Sequence, residues 1–237
     1  MEDSPDRQNP TILLVGASRG LGLAMADAFV QRGWHVVGTV RPGARTGLHD
    51  LADACPGSVT IETLDITEPA QITALRDTLS GRAFDMLFVN AGTANPDQAE
   101  TIAQTPTEAF VRVMLTNALG VMRTVEGLQD LVRPAGLIGV MSSGQGSIAD
   151  NEKGGHEVYR GSKAALNQYM RSYAARRAGD GRPLVLMAPG WIRTDLGGPE
   201  ARYSVEETIP ELVDTLIAQQ GVPGLRFIDR HGGTVPW

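Results

Sequence analysis

Seven short apolar segments, separated by amphipathic stretches, set the strongest limit on how this chain can fold. They cover residues 11–16, 35–40, 58–64, 84–90, 136–142, 183–188 and 225–229. Most are apolar almost throughout, which is typical of parallel strands buried on both faces, and their alternation with helical patterns indicates crossover connections. We therefore predict an α/β fold: a single doubly wound domain with a seven-stranded parallel sheet and helices on both faces.

Composition limits the size and the partners of this domain. The chain has 237 residues, 42% of them hydrophobic, and a formal net charge of -6. We expect one domain over residues 11–237 behind a flexible N-terminal tail at 1–10. The acidic balance argues against nucleic acid or an anionic membrane as partner, and no apolar run approaches the roughly 18 residues of a membrane span. With Cys55 as its single cysteine and no targeting signal, the sequence predicts a cytoplasmic protein that binds a small molecule.

Two stretches between the strands carry signals for a helix start. After the third strand, Thr67 is predicted as an N-cap. In residues 105–132, Thr105 and Glu108 have the spacing of a capping box, with Pro106 at the first helical position. This second stretch is so apolar that its helix is either buried or pairs with another subunit.

The glycines after the first apolar segment suggest a binding loop. In "GASRGLG", Gly16 permits a tight turn, Gly20 lets the backbone approach a pyrophosphate, and Gly22 allows close packing at the start of a helix. The N-terminus of that helix offers unpaired N–H groups to phosphates. The spacing is GxxxGxG rather than GxGxxG, and the alternative is a glycine-rich turn without a ligand. The position between strand and helix favours a dinucleotide.

Charge at the end of the second strand favours one dinucleotide over the other. An acidic residue there would bind the 2′-hydroxyl of NAD(H), whereas arginine would accept the 2′-phosphate of NADP(H). The expected acidic position holds Val40, Arg41 follows it, and Arg19 lies in the glycine loop. We therefore predict NADP(H) rather than NAD(H), the alternative being that both arginines are merely solvated.

Tyr159 and Lys163 in "HEVYRGSKAAL" are four positions apart and lie on one face of a predicted helix. A lysine ammonium about 4–5 Å from a phenol would lower the pKa of the phenol by about two to three units and bring it toward the range of general acid–base catalysis. The alternative is a packed tyrosine beside a lysine whose amine reaches solvent.

Seven motifs in order make the chain similar to one family. The sequences "GASRGLG", "LDIT", "NAG", "TNALG", "MSSG", "YRGSK" and "PGWIRTD" resemble the short-chain dehydrogenases/reductases over about residues 10–237, which implies a Rossmann-like NAD(P)-binding domain. More narrowly, "YRGSKAALN" and the ending "GLRFIDRHGGTVPW" resemble the C-factor-type branch, which includes carbonyl reductases and a bacterial developmental signalling protein.

The resemblance implies a hydride-transfer site. Tyr159 would pass a proton to or from the substrate oxygen, and Lys163 would lower the pKa of Tyr159 and hold the nicotinamide ribose. Ser143 would hydrogen-bond the same oxygen, and Asn117 would bend its helix and hold a water that relays protons to Lys163. The residues implied at the cofactor, with Asp65 and Ile66 beside the adenine and 189–194 bordering the nicotinamide, are Gly16, Ser18, Arg19, Gly20, Leu21, Gly22, Arg41, Asp65, Ile66, Asn90, Ala91, Gly92, Tyr159, Lys163, Pro189, Gly190, Ile192 and Thr194.

The chain departs from the family pattern at two points. Ser142, Ser143 and Ser147 all lie near the position of the catalytic serine, and the polar residues 149–156 lengthen the distance to the tyrosine, so we read them as an inserted loop. After "PGWIRTD", few residues remain to build a substrate lid, which predicts an open site that accepts bulky or varied carbonyl compounds. Trp191 either lines this mouth or is structural.

The sequence therefore predicts an NADPH-dependent oxidoreductase of aldehydes, ketones or quinone-like carbonyls. The alternative is a non-enzymatic dinucleotide-binding sensor or signalling protein of C-factor type. An enoyl reductase would usually place more residues between the tyrosine and the lysine. The four histidines have no ligand spacing, so no metal site is predicted, and the family resemblance implies a homodimer or homotetramer.

Overall fold

The computed structural model describes residues 9–237, so most of the predicted tail at 1–10 lies outside the described residues. In this part of the chain the strands are β1 Thr11–Val15, β2 His35–Val40, β3 Val59–Thr63, β4 Phe84–Val89, β5 Val132–Met141, β6 Pro183–Ala188 and β7 Gly224–Asp229. The helices are α1 Gly20–Gln31, α2 Gly47–Ala54, α3 Pro69–Thr78, α4 Thr107–Met114, α5 Val121–Leu128, α6 Glu157–Arg176 and α7 Val205–Ala218.

The described strands form one parallel sheet in the order β3-β2-β1-β4-β5-β6-β7. Strands β2 and β3 are added on one side of β1, and β4 to β7 are added on the other side. The order in which strands are added therefore reverses between β1 and β4, where Ile12 lies opposite Met86. Ligands of such sheets bind beyond the carboxyl ends of the strands at this reversal. The predicted seven-stranded, doubly wound α/β domain is confirmed.

Alternate side chains of the central strands enter two separate cores. Leu13 and Val15 belong to a core with residues of α3, α5 and α6, whereas Ile12 and Leu14 pack with residues of α1, α2 and α7. The continuous apolar runs of the sequence are thus strands with both faces covered. Because the two layers hold the sheet rigidly, the loops at its carboxyl edge are the part free to carry function.

The helix prediction for residues 105–132 is wrong in its details. Thr105 is not the N-cap: its hydroxyl donates to the carbonyl of Thr101, Pro106 is the capping residue, and α4 begins at Thr107. The helix does run long, as predicted, but it contains a π-helical turn at Leu115–Gly120 between α4 and α5, and β5 already begins at Val132.

The predicted cap of the helix after β3 is also wrong. The backbone N–H and the hydroxyl of Thr67 both donate to Oδ1 of Asp65, at 2.9 and 2.7 Å. Glu68 is the N-cap, and Pro69 is the first residue of α3. Thr67 donates to the Asp65 carboxylate instead of capping α3, because a carboxylate is a stronger hydrogen-bond acceptor than a hydroxyl.

Two kinds of feature are absent from residues 9–237. None of the helices there combines the length and the apolar character that a bilayer crossing requires. In the same residues, no group of three or more His, Cys, Asp or Glu side chains is placed to hold a metal ion.

Candidate active site

The glycine loop between β1 and α1 forms a cradle that side chains would fill. Gly16 has φ +87°, and a Cβ there would lie 2.8 Å from the backbone nitrogen of Ala91. A Cβ on Gly22 would lie 2.0 Å from the carbonyl oxygen of Gly16. No side chain caps the first turn of α1, whose N-cap is Arg19, so its N–H groups are available to an anion. The loop therefore fits the pyrophosphate of a dinucleotide.

The segment after β4 is joined to this cradle. Asn90 donates from Nδ2 to the carbonyl of Gly16 at 2.9 Å, and the N–H of Ala91 donates to the carbonyl of Val15. Gly92 faces the other way: a Cβ on it would lie 3.4 Å from Oδ1 of Asn117 and 3.6 Å from Nζ of Lys163. These three consecutive residues thus connect the glycine loop to the Asn117 and Lys163 side chains.

A cleft of about 670 Å³ lies beside the loop at the end of β2. Among its lining residues are Ser18, Arg19, Arg41, Arg45, Asp65 and Gln71. Arg19 pairs with Asp195 at 2.6 Å, and Arg45 pairs with Asp50 and Asp53, whereas the positive charge of Arg41 acts on Asp65. The guanidinium groups of Arg19 and Arg41 favour a phosphate dianion in this cleft, whereas Arg45 is already held by two carboxylates.

Asp65 and Ile66 are placed differently from each other. Burial alone would raise the pKa of Asp65, but the two hydrogen bonds from Thr67 and the charge of Arg41 hold this pKa below its ordinary value, so the residue is a carboxylate. The side chain of Ile66 is 4% exposed and packs in the core. Any contact of Ile66 with an adenine would come from its backbone.

Tyr159 and Lys163 lie on successive turns of α6, as predicted. Lys163 is 2% exposed, its Nζ donates to the carbonyl of Met141 at 2.7 Å, and it lies 5.7 Å from the centroid of the Tyr159 ring. Burial lowers the pKa of Lys163 to about 8. Desolvation raises the pKa of Tyr159 to about 12, although the nearby Ser143 hydroxyl lowers it in part.

The expectation that Lys163 lowers the pKa of Tyr159 stays a prediction, because the two influences on this phenol in the structure are burial and the Ser143 hydroxyl. The amine of Lys163 is held by the Met141 carbonyl at the end of β5. Desolvation of the phenolate outweighs the hydrogen bond with Ser143, so the pKa of Tyr159 is raised overall.

The partners of the three candidate serines distinguish them. Ser142 is 1% exposed and donates to Oδ1 of Asn167 at 2.5 Å. Ser147, also 1% exposed, accepts the N–H of Asp150 at 3.1 Å and closes a turn. Ser143 is half-buried and lies close enough to Tyr159 to affect its pKa. Of the three, Ser143 has the position from which a hydroxyl could share a substrate oxygen with Tyr159.

Asn117 lies in the π-helical turn and is fully buried. Its Oδ1 accepts the N–H of Thr93 at 2.8 Å, and its Nδ2 donates to the carbonyl of Thr93 and to the hydroxyl of Ser162, which in turn donates to the carbonyl of Tyr159. The side chain therefore joins the segment after β4 to the helix that carries Tyr159 and Lys163.

Residues after β6 form one side of the site. Gly190 has φ +96°, and Ile192 is buried and pairs with Tyr203 in a short parallel bridge. The hydroxyl of Thr194 accepts the N–H of Gly197 at 3.1 Å, and Nε1 of Trp191 donates to the carbonyl of Gly197 at 2.8 Å. Residues 191–203 thus fold back on themselves into a compact loop, and Trp191, 54% exposed, both braces this loop and presents its ring to solvent.

Several residues of this arrangement did not stand out in the sequence. Ser162 and Thr93 hold Asn117, Asn167 holds Ser142, and Asp195 pairs with Arg19. The sequence could have indicated Asn167, because it follows Lys163 by four positions and therefore lies on the same face of the helix. The other three depend on contacts between distant segments, for which the sequence carries no local signal.

Between residues 16 and 213 the sequence matches the family described as Enoyl-(Acyl carrier protein) reductase. The chain is also similar to the C-signal of Myxococcus xanthus, with 34% identity over 130 residues that make up 54% of this chain and 78% of that protein.

Solved structures resemble the whole chain. A protein from Burkholderia multivorans, assigned to the short-chain dehydrogenases/reductases and crystallised with bound NADP, is 62% identical with a TM-score of 0.96, covering 97% of this chain and 100% of that one. A carbonyl reductase from Pseudomonas aeruginosa PAO1 in complex with NADP is 35% identical with a TM-score of 0.89, covering 97% of this chain and 100% of that one.

Proposed function

This chain belongs to the short-chain dehydrogenase/reductase family of oxidoreductases, and on that premise we propose that it transfers a hydride between NADP(H) and a carbonyl or secondary alcohol substrate. The observation that carries the proposal is the convergence of Asn117, Ser143, Tyr159 and Lys163 beside the glycine cradle. When bound, NADP(H) supplies or accepts the hydride, and the protein supplies position and protonation.

The choice of NADP(H) rests on the cleft at the end of β2. Arg41 and Arg19 line it, and a 2′-phosphate with two negative charges would be held by such guanidinium groups through charge-assisted hydrogen bonds. The Burkholderia and Pseudomonas structures, which contain NADP, support the same choice. Arg19 would have to exchange Asp195 for the phosphate, a small cost because exposed ion pairs contribute at most about 1 kcal/mol.

The protonation of the site favours reduction. Because the pKa of Tyr159 is raised to about 12, the phenol keeps its proton at neutral pH and can give it to the oxygen of a carbonyl as the hydride arrives. The Ser143 hydroxyl would hydrogen-bond the same oxygen. Lys163 would hold the ribose of the nicotinamide, and Asn117 would keep α6 aligned with the segment after β4.

The substrate class we propose is aldehydes, ketones or quinone-like carbonyls. The compact loop 191–203 borders the site, and Trp191 offers an exposed aromatic surface there. We favour carbonyl over enoyl reduction because one helical turn separates Tyr159 from Lys163. The Pseudomonas relative, a carbonyl reductase, supports this choice.

A turnover assay tests the proposal. The purified protein is mixed with NADPH or NADH, and the loss of reduced nicotinamide absorbance is followed over a panel of aldehydes, ketones and quinones. We expect turnover with NADPH. Tight NADPH binding without turnover of any compound would overturn the proposal and favour a dinucleotide-binding sensor. The similarity to C-signal is the observation that supports this alternative.

The oligomeric state belongs to the same proposal. Phe110, Val111 and Leu119 around the π-helical turn, and Tyr169 on α6, are large apolar side chains between 39% and 52% exposed. We infer that a second copy covers them, giving a homodimer or homotetramer. Light scattering on the purified protein decides this, and a monomer at micromolar concentration would contradict it.

Lys163 gives the reaction a predicted pH dependence. The lysine must be charged to hold the cofactor ribose, and its pKa is lowered to about 8, so the ammonium is lost as pH rises through that value. Tyr159 stays protonated throughout, since its pKa is about 12. We expect kcat/KM for NADPH, which reports the free enzyme, to be constant near neutrality and to fall above about pH 8.

Lys163→Arg is the control for this profile. Arginine remains charged across the range, so the decline above pH 8 should disappear even if the overall rate is lower. A wild-type profile that stays flat up to about pH 10 would contradict the assignment, and so would a decline that persists in Lys163→Arg.

A further inference from the structure

We propose that Asn167 is a positioning residue of this site. It holds the serine segment, residues 142–146, at both ends and so sets where Ser143 lies relative to Tyr159. The inference rests on the proposed function, because the separation of Ser143 and Tyr159 matters for activity only if both act on one substrate oxygen.

The contacts of Asn167 are the basis of the proposal. The side chain is 4% exposed, so its amide groups interact with protein rather than with solvent. Its Oδ1 accepts the hydroxyl of Ser142 at 2.5 Å, and its Nδ2 donates to the carbonyl of Gly146 at 3.2 Å. One amide therefore uses its acceptor at the first residue of the serine segment and its donor at the last.

The helix that carries Asn167 also carries the proton donor. Asn167 follows Lys163 by one turn of α6 and Tyr159 by two, so the three side chains share a face. Gly146 packs directly on this face: a Cβ on it would lie 3.0 Å from Nδ2 of Asn167 and 3.0 Å from Cβ of Lys163. The positions of Ser143 and Tyr159 are therefore both set by the same helix, α6.

The other contacts of the serine segment lie within it or at its first end, where the N–H of Ser142 donates to the carbonyl of Met187 on β6 at 2.8 Å. The hydroxyl of Ser143 accepts the N–H of Gln145 at 3.1 Å, a bond inside the segment that moves with it. The amine of Lys163 holds the carbonyl of Met141, which precedes the segment. Asn167 adds the hold on the far side, at Gly146, and so prevents the segment from pivoting about the end of β5.

A purely structural role makes a different prediction. If Asn167 only satisfies buried polar groups, its loss lowers stability but does not interact with the contribution of Ser143 to catalysis. If it positions Ser143, its loss has an effect only while Ser143 is present, because two residues that act through one contact are not additive.

The experiment is a double-mutant cycle on the full-length protein. We expect Asn167→Ala to lower kcat by about 10- to 100-fold, the cost of a displaced catalytic group, with KM for NADPH little changed. In the Ser143→Ala background the same substitution should lower kcat by less than about twofold. Asn167→Asp should lower kcat about as much as Asn167→Ala, because it keeps an acceptor for Ser142 but replaces the donor to the Gly146 carbonyl with a carboxylate oxygen.

Tyr173→Phe is the matched control. Tyr173 is a buried residue of α6 whose hydroxyl donates to Oε1 of Gln129 at 2.8 Å, away from the serine segment. Its loss should lower the melting temperature without changing kcat. Equal losses of kcat for Asn167→Ala in both backgrounds would overturn the proposal, and so would an unchanged kcat in a folded Asn167→Ala protein.

Hydrogen exchange gives a readout that does not need turnover. We expect Asn167→Ala to increase amide exchange in a peptide that covers the serine segment, while peptides from β1 and α1 keep their wild-type exchange. Unchanged exchange in the segment would overturn the positioning role. If the wild-type protein reduces no compound of the panel, the proposed function fails, and the exchange result still decides whether Asn167 holds the segment.

Discussion

Tyr159→Phe is expected to lower kcat by about 10³-fold, because a positioned general acid typically contributes 10²- to 10⁴-fold. The substitution removes the hydroxyl that we propose gives its proton to the substrate oxygen, and it keeps the ring at the start of α6. The affinity for NADPH should therefore stay close to that of the wild type. Steady-state kinetics and a fluorescence titration of NADPH measure the two quantities.

Tyr173→Phe is the control for this substitution. Tyr173 lies on the same helix, and its hydroxyl donates to Oε1 of Gln129 away from the site, so the loss of this hydroxyl should leave kcat unchanged. If Tyr159→Phe keeps more than about a tenth of the wild-type kcat, another group gives the proton and the role assigned to Tyr159 is wrong.

Replacing Arg41 by Asp should reverse the cofactor preference and change the ratio of kcat/KM for NADPH over NADH by about 10²- to 10³-fold. The loss of a charge-assisted hydrogen bond to the 2′-phosphate costs about 1.5–3 kcal/mol, and the new carboxylate repels the phosphate. The same carboxylate can accept the 2′-hydroxyl of NADH. Initial rates with each cofactor at saturating carbonyl substrate give the ratio.

Two further substitutions separate the causes. Arg41→Ala removes the attraction without adding repulsion, so its effect should be intermediate. Arg45→Ala tests another arginine of the same cleft, whose guanidinium is already paired with Asp50 and Asp53, and should change the ratio little. A change of less than about threefold for Arg41→Asp would place the 2′-phosphate elsewhere.

The fold could be predicted because strands buried on both faces leave an unambiguous record in the sequence. The strands β2 and β6 have the predicted bounds, and the others agree closely except for the start of β5. The family resemblance implied a bend at Asn117, but the residue pattern alone does not show the π-helical turn there. Gly120 in this turn packs against the carbonyl of Ile66, where a Cβ would lie 2.8 Å from that oxygen, and this contact joins distant parts of the chain.

The candidate site was predictable in its residues but not in its energetics. Helical spacing placed Tyr159 and Lys163 on one face, but it could not show that the Lys163 amine is held by the carbonyl of Met141 or that desolvation controls the pKa of Tyr159. Likewise, three serines within six positions are equivalent until their partners are known. Ser142 and Ser147 are distinguished from Ser143 by Asn167 and Asp150.

The place of β1 beside β4 fixes the order in which the site can be assembled during synthesis. The contact between Gly16 and Ala91 cannot form until β4 has left the ribosome. This is because β1 pairs with β4, with Ile12 opposite Met86, and the strands β2 and β3 lie between them in the sequence. The residues of β5, the serine segment and α6 are translated after that. A nascent chain can therefore complete its dinucleotide cradle before the tyrosine proposed to transfer the proton has been translated.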